Sequence, residues 1–149
     1  MEHLKISISY SWQRVMLREK VEYAFPLAIT PFMRLNYTGP AVYRFDIYQK
    51  TPGDKKLVYI GEAEELCPRR LYGYLHPGPA QKINLKLKTE FETYLKDGLS
   101  IKLDICVIQE LTIGPRVEKA VLSDLYTRRM IEAAIIVDHR INGFTVLDY

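Results

Sequence analysis

The clearest regularity in the chain is a period-two alternation from Ala41 to Tyr48, AVYRFDIY. It sets Tyr43, Phe45 and Ile47 on one face and Val42, Arg44, Asp46 and Tyr48 on the other. A second apolar run, KLVYI at 56–60, follows the turn-forming stretch QKTPGDK, and an antiparallel hairpin is the cheapest connection between the two. IKLDICVIQE at 101–110 repeats the alternation through Ile101, Leu103, Ile105 and Val107. Three strands are therefore expected. Between them, Pro68 suits the first turn of a short helix carrying Arg69, Arg70 and Tyr74, which HPGP at 76–79 stops. A longer helix is expected over 80–96, with Leu85, Leu87, Phe91 and Leu95 as its apolar contacts and Asp97-Gly98 as its end. After Gly114-Pro115 the chain reads as helical to Val137, and INGFTVLDY closes it with a turn or a short extended segment.

Residues 1–40 read as an N-terminal arm. ISISY there suggests a short strand, a charged segment runs on to Glu22, and Pro26, Pro31, Gly39 and Pro40 interrupt any long element. The expected architecture is thus α+β: a small three-stranded antiparallel β-sheet flanked by helices over 41–149, preceded by the arm.

Composition narrows the class. At 149 residues, with 48% apolar and 26% charged positions, the chain fits one folded domain and not a disordered tail. A net charge of +3 permits an anionic partner without naming one. Eleven tyrosines beside one tryptophan are more distinctive, because a phenol stacks and also reaches phosphate. Two cysteines and three histidines suggest neither a zinc site nor a disulfide-stapled scaffold, so reduced thiols are expected. The opening residues lack the apolar core of a signal peptide, and no apolar run approaches bilayer length. The expectation is a water-soluble protein, cytoplasmic or associated with DNA inside the cell, with no membrane partner.

One position breaks the pattern of the last helix. At 100° per residue, Val117, Val121, Leu125, Ile135 and Ile136 share a stripe, and Glu132 lies inside it. A carboxylate in that place needs a hydrogen bond, a cation or a metal. An ion pair with Arg128, four residues earlier, is one solution; a metal-ligand carboxylate on a rigid helix is the other. The glutamates of EAEEL at 62–66 form a second acidic group, and their simpler reading is that they support the free N–H groups of the helix that follows.

AVY at 41–43 and YIG at 59–61, followed by Arg69 or Arg70, then Glu132 on a distant helix and Asn142 after it, resemble the signature of the GIY-YIG nuclease superfamily. The resemblance spans 41–143 and leaves the arm outside it. Ala41 stands where the first signature glycine is expected. Arg69 has the familiar spacing from Tyr59, whereas Arg70 places Tyr74 one helical turn later, so either arginine meets the pattern. The resemblance implies a GIY-YIG-like fold and a metal-dependent DNA endonuclease, with a compact type II restriction enzyme as the leading expectation. A structure-selective repair or mobile-element nuclease, and a non-catalytic nucleic-acid-binding protein of the same fold, are the alternatives.

In that reading Tyr43 orients or deprotonates the attacking water, Tyr59 contacts water or phosphate, and Arg69 or Arg70 holds the phosphate. Glu132 binds Mg²⁺, with Mn²⁺ as a substitute. Gly61 allows close backbone passage, while Tyr74, His76 and Asn142 support the centre. Lys82, Lys86 and Lys88 extend phosphate contacts along double-stranded DNA. A homodimer would set two sites across two strands, and the arm would contact DNA or dimerise. His139, placed beyond the expected helix end, is given no chemistry.

Overall fold

A computed structural model describes residues 1–49 and 56–149; most of the QKTPGDK loop lies outside the described residues. The alternating stretch forms β4 (Ala41–Tyr48) and pairs antiparallel with β5 (Leu57–Ala63), with Tyr43 opposite Gly61 and Phe45 opposite Tyr59. On its other side β4 pairs antiparallel with β6 (Ser100–Ile113), so the three expected strands lie side by side.

They are the middle of a larger sheet, and the expectation of a small three-stranded sheet is corrected. Among the described residues the main sheet has six strands. Its path is β1 (Ile6–Arg14), β6, β4, β5 and β8 (Thr145–Val146), with β7 (Arg116–Glu118) pairing β6 off that path. A separate two-stranded sheet joins β2 (Met16–Arg18) to β3 (Val21–Glu22). The main sheet is mixed, because β8 runs parallel to β5. A short strand at ISISY and a turn or short extended segment at the end were expected, but their places in the main sheet were not. β1 runs from Ile6 opposite Ile113 to Arg14 opposite Asp104, a pairing across most of the chain that no local pattern announces. β7 and β8 are too short to show a period.

The strand and the buried side chains of residues 1–40 belong to this same body. Val15, Tyr23, Phe25, Met33 and Tyr37 pack in one cluster with Tyr43, Phe45 and Leu103. That cluster also holds Leu71 and Tyr74 of α2 (Leu71–Leu75) and Leu87 and Phe91 of α3 (Lys82–Lys96). Between them and β3, Thr30 caps α1 (Pro31–Asn36) by accepting from the Met33 N–H. The other sheet face meets α4 (Leu125–Ile141), where Ile131 and Ile135 bury against Val42, Val58, Ile60 and Cys106. The central strands are therefore covered on both faces.

The last helix starts later than its apolar pattern suggests. Asp124 caps it by accepting from the Thr127 N–H, so Val117 falls on β7, 73% exposed, and Val121 precedes the cap. The stripe that seemed to begin at Val117 joins two unrelated elements. The helix also runs on past Val137, which brings His139 into its last turn, buried. There the Nδ1–H of His139 donates to Ile135 O at 2.9 Å, and its Nε2 accepts from Arg44 Nη1 at 3.1 Å. Arg44 stacks on Trp12 and, with Arg14, closes on the buried Asp104 at 2.8 and 2.7 Å. This charged knot ties β1, β4, β6 and α4 together. Among the described residues no helix is long and apolar enough to cross a membrane.

Candidate active site

Among the described residues β8 pairs with Leu57 and Val58 alone, so from Tyr59 to Ala63 the strand β5 is an edge of the sheet. On the α2 side of that edge, Tyr43 reaches across the ladder to Gly61. An added Cβ at 61 would lie 2.5 Å from the Tyr43 hydroxyl and 2.6 Å from its ring carbon, so glycine is what lets the phenol lie there. The Tyr43 hydroxyl is hydrogen-bonded to that of Tyr74 on α2, and the Tyr74 ring meets that of Tyr59 edge-on at 6.2 Å between centres. Three phenols thus pack in a row from the half-buried Tyr59 to the fully buried Tyr43.

Arg70 separates itself from Arg69 here. The wide turn Leu66–Arg70 leads directly into α2 and leaves Arg69 exposed while Arg70 is half-buried. The Arg70 guanidinium interacts electrostatically with Tyr43, Tyr74, Glu62 and Tyr59. Both arginines line the neighbouring cleft, Arg69 from its exposed position. The preceding glutamates do not cap this turn: Glu65 occupies the N-cap position without a side-chain hydrogen bond.

From the other face, α4 brings Glu132, half-buried, within electrostatic reach of Tyr43, Tyr59 and Arg70. The expected pair with Arg128 is corrected. Arg128 turns away from its own helix axis and donates from Nε to Glu62 on β5, while its Nη1 donates to Leu122 O at 2.9 Å. Glu62 shares the α4-facing side of β5 with Val58 and Ile60. A carboxylate continuing an apolar alternation is the same signal that marked Glu132, and reading EAEEL only as helix support missed it. Glu132 has no ion pair among the described residues. Burial first, and then the Glu62 charge, hold its carboxyl above the ordinary range.

The phenols are all displaced upward. Burial is the largest cause for Tyr43, Tyr59 and Tyr74; the hydrogen bond from Tyr74 and the Arg70 charge act the other way on Tyr43. At neutral pH the protein alone therefore keeps Tyr43 as a neutral phenol.

Beside this edge opens a cleft of about 410 Å³, lined by Glu62, Arg69, Arg70 and Arg128 and by Gln81 and Asn84 at the start of α3. Neither amide was singled out from sequence, where nothing distinguishes them from solvated polar residues. Comparison with protein-family models, with curated proteins and with solved structures gave no match. The resemblance to GIY-YIG nucleases therefore rests on the residues themselves. Of these, Tyr43, Tyr59, Gly61, Arg70, Tyr74 and Glu132 come together at one edge. His76 caps the end of α2 and stacks on the exposed Tyr72. Lys82 and Lys86 lie on the exposed side of α3. Asn142 closes α4 by donating to Asp138 O at 2.8 Å. It lies ten positions, about 15 Å of helix, beyond Glu132.

Among the described residues no group of three or more His, Cys, Asp or Glu side chains is arranged to hold a metal ion. A hard divalent cation that keeps most of its water needs fewer protein ligands than that, often one or two carboxylates. Glu132 fits such a role: it is unpaired, oxygen-only, and crowded by the charge of Glu62, a repulsion that a cation would offset.

Proposed function

We propose that this chain is a metal-dependent DNA endonuclease of the GIY-YIG kind that hydrolyses phosphodiester bonds, most simply as a sequence-specific restriction enzyme. The observation that carries the reading is the convergence of Tyr43, Tyr59, Tyr74, Arg70 and Glu132 on one free edge of β5. Phosphodiester hydrolysis asks for those functions together: charge on the phosphate to be met, water to be oriented and relieved of a proton, and a leaving oxygen to be steadied.

Arg70 meets the phosphate. Its guanidinium is a delocalised cation with several N–H donors and is the arginine already coupled to the phenols. Glu132 is the residue to hold Mg²⁺, or Mn²⁺ in its place, and the ion would supply Lewis-acid stabilisation of charge on phosphoryl oxygens. Tyr43 orients or deprotonates the water, directly or through Tyr74 and Tyr59. In the free protein the Arg70 charge does not offset burial at Tyr43, so the proton transfer belongs to the fully loaded site. Lys82 and Lys86 extend backbone contacts along double-stranded DNA, and a homodimer would address its second strand.

The test is the nicking of supercoiled plasmid with and without Mg²⁺ by the parent protein, Arg69→Ala and Arg70→Ala. The reading expects Mg²⁺-dependent nicking that survives loss of Arg69 and collapses without Arg70. No nicking by the parent under any divalent ion would contradict it.

A further inference from the structure

Gln81 and Asn84 stand at the opening of α3, on the wall of the cleft that Arg70 enters. Each amide is held by one half. Gln81 Oε1 accepts the Gly78 N–H at 2.9 Å, and Asn84 Nδ2 donates to Gly73 O at 3.3 Å. A side-chain carbon at 73 would lie 3.2 Å from Asn84 Nδ2, so Gly73 keeps that approach open. The other halves, the Gln81 Nε2 donor and the Asn84 Oδ1 acceptor, have no hydrogen-bond partner among the described residues. Gln81 at the N-cap and Asn84 in the first turn of α3 both line this cleft.

Two anchored amides on one cleft, one with a free donor and the other with a free acceptor, are preorganised for a complementary edge. Around them are Lys82 and Lys86, both exposed, and Ile83, 52% exposed. Positive charge at the margin suits a phosphate backbone, and an exposed methyl group suits contact with a base.

Resting on the nuclease reading above, we propose that Gln81 and Asn84 form a base-reading pair for double-stranded DNA. They recognise a major-groove edge that presents an acceptor beside a donor, as N7 and the N6 amino group of adenine do. Gln81 Nε2 donates to the acceptor and Asn84 Oδ1 receives the amino proton. The arrangement links recognition to chemistry, because Arg69 and Arg70 line the same cleft as the two amides.

The test uses the full chain and a pool of random-sequence duplex DNA. Bound duplexes are selected with Glu132→Ala, and with Glu132→Ala combined with Gln81→Met or with Asn84→Leu. In parallel, cut ends from the same pool with Mg²⁺ are mapped for the parent, Gln81→Met and Asn84→Leu. The amide variants are expected to lose about tenfold or more of the preference at one shared base pair, with neighbouring positions unchanged. Gln81→Glu keeps the acceptor for Gly78 but replaces the free donor, and it moves the preference toward the amino donor of cytosine.

The assignment is overturned if enriched sequences and cut ends are the same with and without the amides, or if no sequence is enriched. Amide-dependent enrichment by a parent that cuts nothing sinks the nuclease reading and leaves the base-reading pair standing. Glu132-dependent cutting whose ends ignore the amides does the reverse.

Discussion

Gly61 stands directly opposite Tyr43 in the β4–β5 ladder, and the Tyr43 phenol fills the space that a side chain at 61 would need. The glycine of the YIG triplet is thus explained by one neighbour. Gly61→Ala places a methyl group 2.5 Å from the Tyr43 hydroxyl unless the ring moves. Because Tyr43 is held by Tyr74 and by packing against Phe45, the expected cost is about 1–3 kcal/mol of stability, read from urea unfolding. Plasmid nicking should fall further than that loss of folded protein explains.

Tyr74→Phe keeps the ring packing and removes the middle hydroxyl of the phenol row. Stability should fall by about 1 kcal/mol, with more if Tyr43 stays unsatisfied. Nicking is expected to drop at least about tenfold, since orientation and proton transfer at a reacting water commonly carry effects of that size or larger. Equal rates for Tyr74→Phe and the parent would remove Tyr74 from the working site.

Much of this site was legible because its signals are local. The period of two over 41–48, the Tyr59-Ile60-Gly61 end of the next strand and the arginine pair are each contained within a few residues. Glu132 also announced itself, as a carboxylate among apolar neighbours. What escaped was set by distant partners. Helical spacing offered Arg128 as one partner for Glu132, yet its guanidinium found Glu62, sixty-six positions away on β5. The same holds for β1 and β6, and for the Arg14–Asp104–Arg44 knot, whose members come from three strands. Apolar spacing carried the helix reading back to Val117 across a cap at Asp124 that only backbone geometry reveals.

The Arg128–Glu62 pair is largely buried, with side chains 6% and 18% exposed. Removing one partner leaves a charge without compensation, so Arg128→Met should destabilise by about 3 kcal/mol. Combining it with Glu62→Gln should recover a large part of that loss. The check is a double-mutant cycle in urea; additive losses would mean that the pair is not energetically coupled.

His139 sets an acid limit on stability. Its Nδ1–H faces a carbonyl and its Nε2 faces the Arg44 guanidinium, so only the neutral ring satisfies both. Burial is the largest cause holding the ring below its ordinary value; Arg44 pushes the same way, while the Ile135 carbonyl, Asp138 and Asp46 oppose it. A folded state that binds its proton less readily than the unfolded chain is stabilised fully above the unfolded value of about 6.5 and loses that stability as pH falls toward the folded value. Urea midpoints measured from pH 7.5 down to 5 should therefore decline, and His139→Gln should flatten the decline over that range. An unchanged slope in the variant would place the acid sensitivity elsewhere.

The central claim is that Glu132 is the metal-holding carboxylate of a phosphodiesterase site, and its most direct test is one assay. Supercoiled plasmid is incubated with Mg²⁺ and either the parent protein or Glu132→Ala, while DNA binding is followed on the same samples by gel shift. The account predicts Mg²⁺-dependent nicking by the parent and near-total loss in Glu132→Ala, with binding largely retained. Nicking by Glu132→Ala at the parent's rate would contradict it.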